Sequence, residues 1–178
     1  MKRKIIITAF AATSLIFSST QAFALINFSA GIPFSHTITG KDTDGSAIES
    51  DSVSGIFIQV GVPIFPGVGM DSYKTKLKDT TIELATMIYN LYYLLPIPII
   101  NLTLGGGVGS TELQCSGCAA GFDKGSASQW YASLGMPIIP LFDLHLSYRS
   151  VSSKIKIKSG GEHDFSGNVM GLGIGFNF

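Results

Sequence analysis

Met170-Gly171-Leu172-Gly173-Ile174-Gly175-Phe176-Asn177-Phe178 alternates a large apolar side chain with glycine or asparagine without a break and stops on phenylalanine. A strand side chain points to the opposite face from its neighbour, so this segment is a strand with one greasy face and one small or polar face. Such a strand at the end of a chain is how a transmembrane β-barrel closes.

The same period of two recurs upstream. Ile26, Phe28, Ala30 and Ile32 form one apolar series; Ile56, Ile58, Val60 and Val62 a second; Val68 and Met70 a third; Ile82, Leu84 and Ile88 a fourth. Ile100, Leu102, Leu104 and Val108, then Trp130, Ala132, Leu134 and Met136, then Phe142, Leu144, Leu146 and Tyr148 complete the set before the closing strand. Period two is the strand signature. The interleaved positions are mostly glycine, serine and amides with a few charges, among them Asp71, Glu83, Asp143, His145 and Arg149. A soluble barrel fills its interior with large apolar residues. A barrel in lipid turns that face outward and keeps a polar interior.

The connections are of two kinds. Three are short and marked by proline, at Pro63-Ile64-Phe65-Pro66, Pro96-Ile97-Pro98 and Pro137-Ile138-Ile139-Pro140, where a missing N–H is expected to end strand pairing. Four are longer or more polar, around 39–52, 76–80, 112–126 and 158–164. Seven connections predict an all-β, eight-stranded, antiparallel up-and-down transmembrane barrel. Its short turns are expected on the periplasmic side and its long loops outside.

The N-terminus fits export. Lys2-Arg3-Lys4 is a basic segment, Ile5 to Phe17 a short apolar core, and Ala22-Phe23-Ala24 a small-x-small cleavage pattern. Residues 1–24 are read as a signal peptide and 25–178 as the barrel domain. Removing the three leader cations leaves nine Lys plus Arg against twelve Asp plus Glu, a net charge of −3. A weakly acidic chain with little basic clustering is not built for nucleic acid. The uncharged stretch 84–111 competes as a spanning helix by hydropathy, but Pro96 and Pro98 would break it in its middle. It is read as a hairpin, with a β-bulge near Asn90, where Tyr89, Leu91 and Tyr93 carry bulk on the other parity.

With a leader, about 150 mature residues, eight alternating strands and a final aromatic, the chain resembles the small bacterial outer-membrane barrels of the OmpA, OmpX and OmpW type. The turn Val62 to Pro66, the stretch Ala85 to Tyr93 and the closing Gly173 to Phe178 are similar to a set of poorly characterised outer-membrane barrel proteins. The resemblance implies the bacterial outer membrane as location, outer-membrane lipids as partners, and contact with the barrel assembly machinery through the strand ending at Phe178. It carries no catalytic residue. No peptidoglycan-binding segment follows Phe178, so anchoring to the cell wall is not expected.

Two motifs invite chemistry. Cys115-Ser116-Gly117-Cys118 has the spacing of a redox motif or half a zinc site, but neither a helix start nor two further ligands are evident. In an oxidising compartment it is read as a local loop disulfide. His145-Leu146-Ser147 resembles the histidine and serine that some eight-stranded lipid A deacylases carry two apart on one strand, yet by the strand reading it lies near the periplasmic turns, far from the outer leaflet. Asp71, Glu83, Asp143, His145 and Arg149 are read instead as a lumen charge network, since charges inside a closed barrel need partners. No enzyme activity, cofactor or metal is expected. The expected role is structural or surface-interacting through the outer loops. The alternative is a narrow conduit for small or apolar solutes, favoured by inward glycines and opposed by Phe57, Tyr73 and Tyr131.

Overall fold

The computed structural model describes residues 26–42, 44–62, 65–97, 100–139 and 141–177. The leader assigned to residues 1–24, the terminal Phe178, and Pro63, Pro98 and Pro140 lie outside the described residues. The elements are β1 (Asn27–Ile38), β2 (Ser50–Gly61), β3 (Gly67–Leu77), β4 (Glu83–Ile97), β5 (Ile100–Gln114), a single helical turn α1 (Cys118–Gly121), β6 (Gly125–Ile139), β7 (Phe142–Lys156), β8 (Glu162–Asp164) and β9 (Gly167–Asn177).

From β1 to β7 each strand pairs antiparallel with its sequence neighbour. β8 and β9 both pair with β7 and are one strand interrupted at Phe165 and Ser166. β9 then pairs with β1 from Asn27↔Asn177 to Ile38↔Gly167 and closes the ring. The result is a closed eight-stranded antiparallel barrel, in which β1 meets β2 over Asn27–Gly31 and Phe57–Gly61.

Its burial is inside out relative to a soluble protein. Along β7, Asp143, His145, Ser147 and Arg149 are buried while Leu146 and Tyr148 stand 47% and 41% exposed. Phe34, Val60, Leu91, Val108, Trp130, Met136 and Leu172 extend this apolar band around the wall. Each such side chain gains about 1.5–3 kcal/mol on leaving water, and soluble monomers rarely expose contiguous apolar patches beyond a few hundred Å². The exterior is therefore a lipid-facing surface, and the chain is a transmembrane barrel of the bacterial outer-membrane type. Among the described residues no helix is long and apolar enough to cross a membrane.

Three expectations are corrected. The parity of β4 is reversed: Leu84 and Ile88 point inward, 1% and 0% exposed, whereas Met87, Tyr89 and Leu91 face out. There is no bulge at Asn90, because the register with β3 and β5 runs unbroken through it. Proline does not end pairing either, since Pro96 and Pro137 still stand opposite Asn101 and Asp143. A proline at the end of a hairpin forfeits one donor but leaves its carbonyl to pair. Register irregularities fall instead between Pro33 and Ser35, between Ser50 and Ser52, and between Pro137 and Ile139.

Candidate functional site

The lumen is stacked in tiers. At the turn end, Asn177 Nδ2 donates to Asp143 Oδ2 at 2.6 Å, Asn101 donates to the same oxygen, and Asn27 Nδ2 donates to Asn177 Oδ1 at 2.5 Å. These residues meet because β1, β5, β7 and β9 each bring an inward position to that end. In the middle, Arg149 Nε donates to Asp71 Oδ2 at 2.9 Å, with the two side chains 3% and 0% exposed. Gln129 also donates to Asp71 and reaches Asn90 Oδ1 at 2.7 Å. The Arg149 guanidinium lies 3.6 Å above the Phe57 ring and 5.0 Å from that of Tyr131. Paired, hydrogen-bonded and stacked, this cation meets the conditions under which a buried charge is tolerated.

Above that tier Phe57, Tyr73, Ile88, Ala127, Val151 and Val169 pack into an apolar cluster. A second cluster of Leu77, Leu84, Ile155 and Phe165, backed by Ile38, Ile48 and Phe122, fills the loop end. The inward glycines are occupied by neighbours. A Cβ on Gly105 would lie 2.4 Å from the Tyr131 ring, one on Gly67 2.2 Å from Tyr92, and one on Gly175 2.2 Å from His145. Mid-lumen space lined by Ser29, Gln59, Ser133, His145 and Arg149 amounts to about 20 Å³, room for about one water.

The structure separates the sequence candidates. Asp71 and Arg149 form the central pair, and Asp143 sits with His145 at 4.0 Å in the turn-end tier. Glu83 is not in the lumen: it lies on the outer wall, 3.3 Å from Lys74 Nζ, as the reversed parity of β4 requires. No hydrogen bond joins His145 to Ser147 among the described residues; Ser147 Oγ donates to Gly171 O at 3.2 Å and accepts from Arg149. Both are buried beneath the wall, so no substrate reaches them from lipid. Among the described residues no group of three or more His, Cys, Asp or Glu is placed to hold a metal ion. The amides Gln59, Gln129, Asn101 and Asn90 complete the network; the first three stand at interleaved polar positions in the sequence, whereas Asn90 shares the parity of Leu84 and Ile88 and is turned inward by the reversed parity of β4.

The loop end is knitted together. Cys115 and Cys118 are disulfide-bonded, bracketing the start of α1. Lys158 N donates to Gly121 O and its Nζ to Ala119 O, tying the fourth loop to the third. Lys78 N donates to Glu49 O, tying the second to the first, and Asp164 N donates to Lys41 O. His163 Nδ1 stands 2.6 Å from Asp42 Oδ1, with its ring between Phe122 and Phe165. The Lys78 ammonium bonds the Glu49 carboxylate and holds it below its ordinary pKa, while Lys78 is raised in turn. That tie is present at neutral pH and is lost as pH falls through the depressed Glu49 value. Asp51, Lys76, Lys78, Asp79 and Thr80 line an open hollow of about 750 Å³ on the outer wall.

This geometry defines a class: a small, side-chain-filled outer-membrane-type barrel crowned by braced loops. In fold the chain is similar to Neisserial surface protein A, whose crystal structure superposes with a TM-score of 0.61 at 13% identity over 86% of this chain and 96% of that one. Weaker likenesses are to Ail of Yersinia pestis, at 14% identity, 85% and 99% coverage and TM-score 0.46, and to OmpT of Vibrio cholerae, at 12% identity, 88% and 52% coverage and TM-score 0.37. No family model and no curated protein sequence matches the chain.

Proposed function

We propose that this chain is a bacterial outer-membrane barrel whose role is structural or surface-interacting, with the loop end as its contact surface and without enzymatic activity. The observation that carries the reading is the loop end itself. Its four connections are cross-tied by backbone hydrogen bonds over a solid apolar plug, so they present a fixed, mixed-charge surface. Rigid scaffolds carrying conserved shapes on loops are how binding surfaces are commonly built. A conduit finds little support, because the aromatic rings occupy the space opposite the inward glycines.

The test has two parts. Ser46→Cys, in the first long loop, is expected to react with a membrane-impermeant maleimide on intact cells; reaction only after permeabilisation would place the loops inside and overturn the reading. Planar-bilayer recording of folded protein is expected to be silent. Reproducible unitary conductance would favour the conduit.

A further inference from the structure

On β6, β7 and β9 the outward face changes character row by row. Leu134, Leu146 and Leu172 stand side by side across the three strands, each close to half exposed, and belong to the lipid-facing band. The next outward row is Ala132, Tyr148 and Met170. Beyond it Trp130, Ser150, Asn168 and Thr37 of β1 form a third row, and Ser128 with Ser152 begins a fourth. Trp130 is 58% exposed, and its ring lies 5.9 Å from that of Tyr148. These rows carry no charge, whereas β3 and β4 place the outward ion pair of Lys74 and Glu83 beyond their apolar residues.

The uncharged belt is also concave. The strand paired with β7 is interrupted at Phe165 and Ser166. There the Ser166 carbonyl turns toward the first loop and accepts from Thr39 N at 2.7 Å and Gly40 N at 2.9 Å, while Ser166 Oγ accepts from Ser153 N at 3.1 Å. Beside the interruption lies an open hollow of about 380 Å³, with Thr39, Ser128, Trp130, Ser152, Ser166 and Asn168 in its lining. Small-molecule sites span roughly 300–1,000 Å³. Among the described residues no hydrogen bond engages the side chains of Ser128, Ser150, Ser152 or Asn168, so their donors and acceptors are unspent.

The chemistry of the hollow selects its occupant. With no cation in its lining it offers no charged partner to a phosphate, and with no carboxylate none to an ammonium. The next outward cation on β7, Lys154, is engaged by Glu162 at 3.0 Å. Hydroxyls and an amide both donate and accept, and the exposed indole presents a flat apolar face. A pyranose ring matches both, with hydroxyls at its edge and C–H groups on its faces. The hollow opens at the rim of the lipid-facing band, where a lipid whose chains lie along Leu134, Leu146 and Leu172 places its headgroup. Interfacial Trp and Tyr are common at the rims of membrane barrels; the unspent hydroxyl recess beside this pair is what adds recognition to position.

We propose that the recess across β6, β7 and the start of β9 binds the uncharged sugar headgroup of a glycolipid in the leaflet at the loop end. Trp130 is the stacking surface, and Ser128, Ser150, Ser152 and Asn168 are the hydrogen-bonding partners. The site rests on the lipid-facing reading of the wall, and the test separates the two. Trp130 is the chain's only tryptophan, so its emission reports from the site. The barrel is folded into dioleoyl phosphatidylcholine vesicles holding rising fractions of monoglucosyl dioleoylglycerol, of dioleoylglycerol without the sugar, or of dioleoyl phosphatidylglycerol. The glucosyl lipid alone is expected to change the emission, along a saturating curve. Ser150→Ala combined with Asn168→Ala is expected to raise the half-saturating fraction about fivefold or more, by removing two hydrogen-bonding groups, and to keep the heat-dependent gel shift of the folded barrel. An equal response to all three lipids, or to none, would overturn the site and leave an interfacial aromatic pair only. So would an unchanged curve in the double variant. The comparison of lipids on the native chain decides even where the variant does not fold, and a native chain with no heat-dependent shift would overturn the wall reading itself.

Discussion

Asp71 and Glu83 are both carboxylates facing a cation, and their environments assign them opposite weight. Asp71 is fully buried against Arg149, so Asp71→Asn leaves an uncompensated guanidinium in the lumen and is expected to destabilise the barrel by about 3–5 kcal/mol. Glu83 and Lys74 are about half exposed, so Glu83→Gln is expected to cost less than about 1 kcal/mol. Urea midpoints of the folded band compare the two directly; equal shifts would contradict the assignment. Gly105→Leu pushes a side chain into the Tyr131 ring and is expected to cost about 1–3 kcal/mol by overpacking, whereas a lumen with spare room would accept it without loss. His145→Ala is expected to leave lipid A acylation unchanged, and altered acylation would restore the catalytic reading of His145 and Ser147.

At the scale of elements, the disulfide and β4 each carry a prediction. Cys115 and Cys118 enclose a loop of only a few residues, so replacing both by serine is expected to cost at most about 2 kcal/mol and to leave the barrel folded. On β4, a fluorophore at Tyr89→Cys is expected to be quenched by brominated lipid, and one at Ile88→Cys to be shielded; the reverse would restore the other parity. β4 also shows where sequence reading runs out. Period two located β7 and β9 because the inward face there is polar or glycine from Asp143 to Arg149 and from Gly171 to Asn177. On β4 both faces carry bulk, Leu84 and Ile88 inward against Met87, Tyr89 and Leu91 outward, so local alternation has two solutions. The deciding contacts, Lys74 with Glu83 and Thr86 with Thr111, lie on neighbouring strands. The same limit applies to the inward glycines, which read as space until the strand opposite supplies Tyr92, Tyr131 or His145.

For the whole molecule, the asymmetry between the two ends follows from where the chain places its charge. Ladders such as Lys76 with Asp51 and Lys154 with Glu162 hold the loop end in water, and among the described residues the turn end carries no outward charge. The inverted burial of the wall is the central claim, because the filled lumen and the braced loops both depend on it. The most direct test is the gel mobility of the protein recovered from isolated outer membranes, run unboiled and boiled in mild detergent. A closed transmembrane barrel is expected to sediment with the outer membrane, migrate compactly when unboiled and shift on heating. Recovery from the soluble periplasm with no heat-dependent shift would mean that the apolar face points inward.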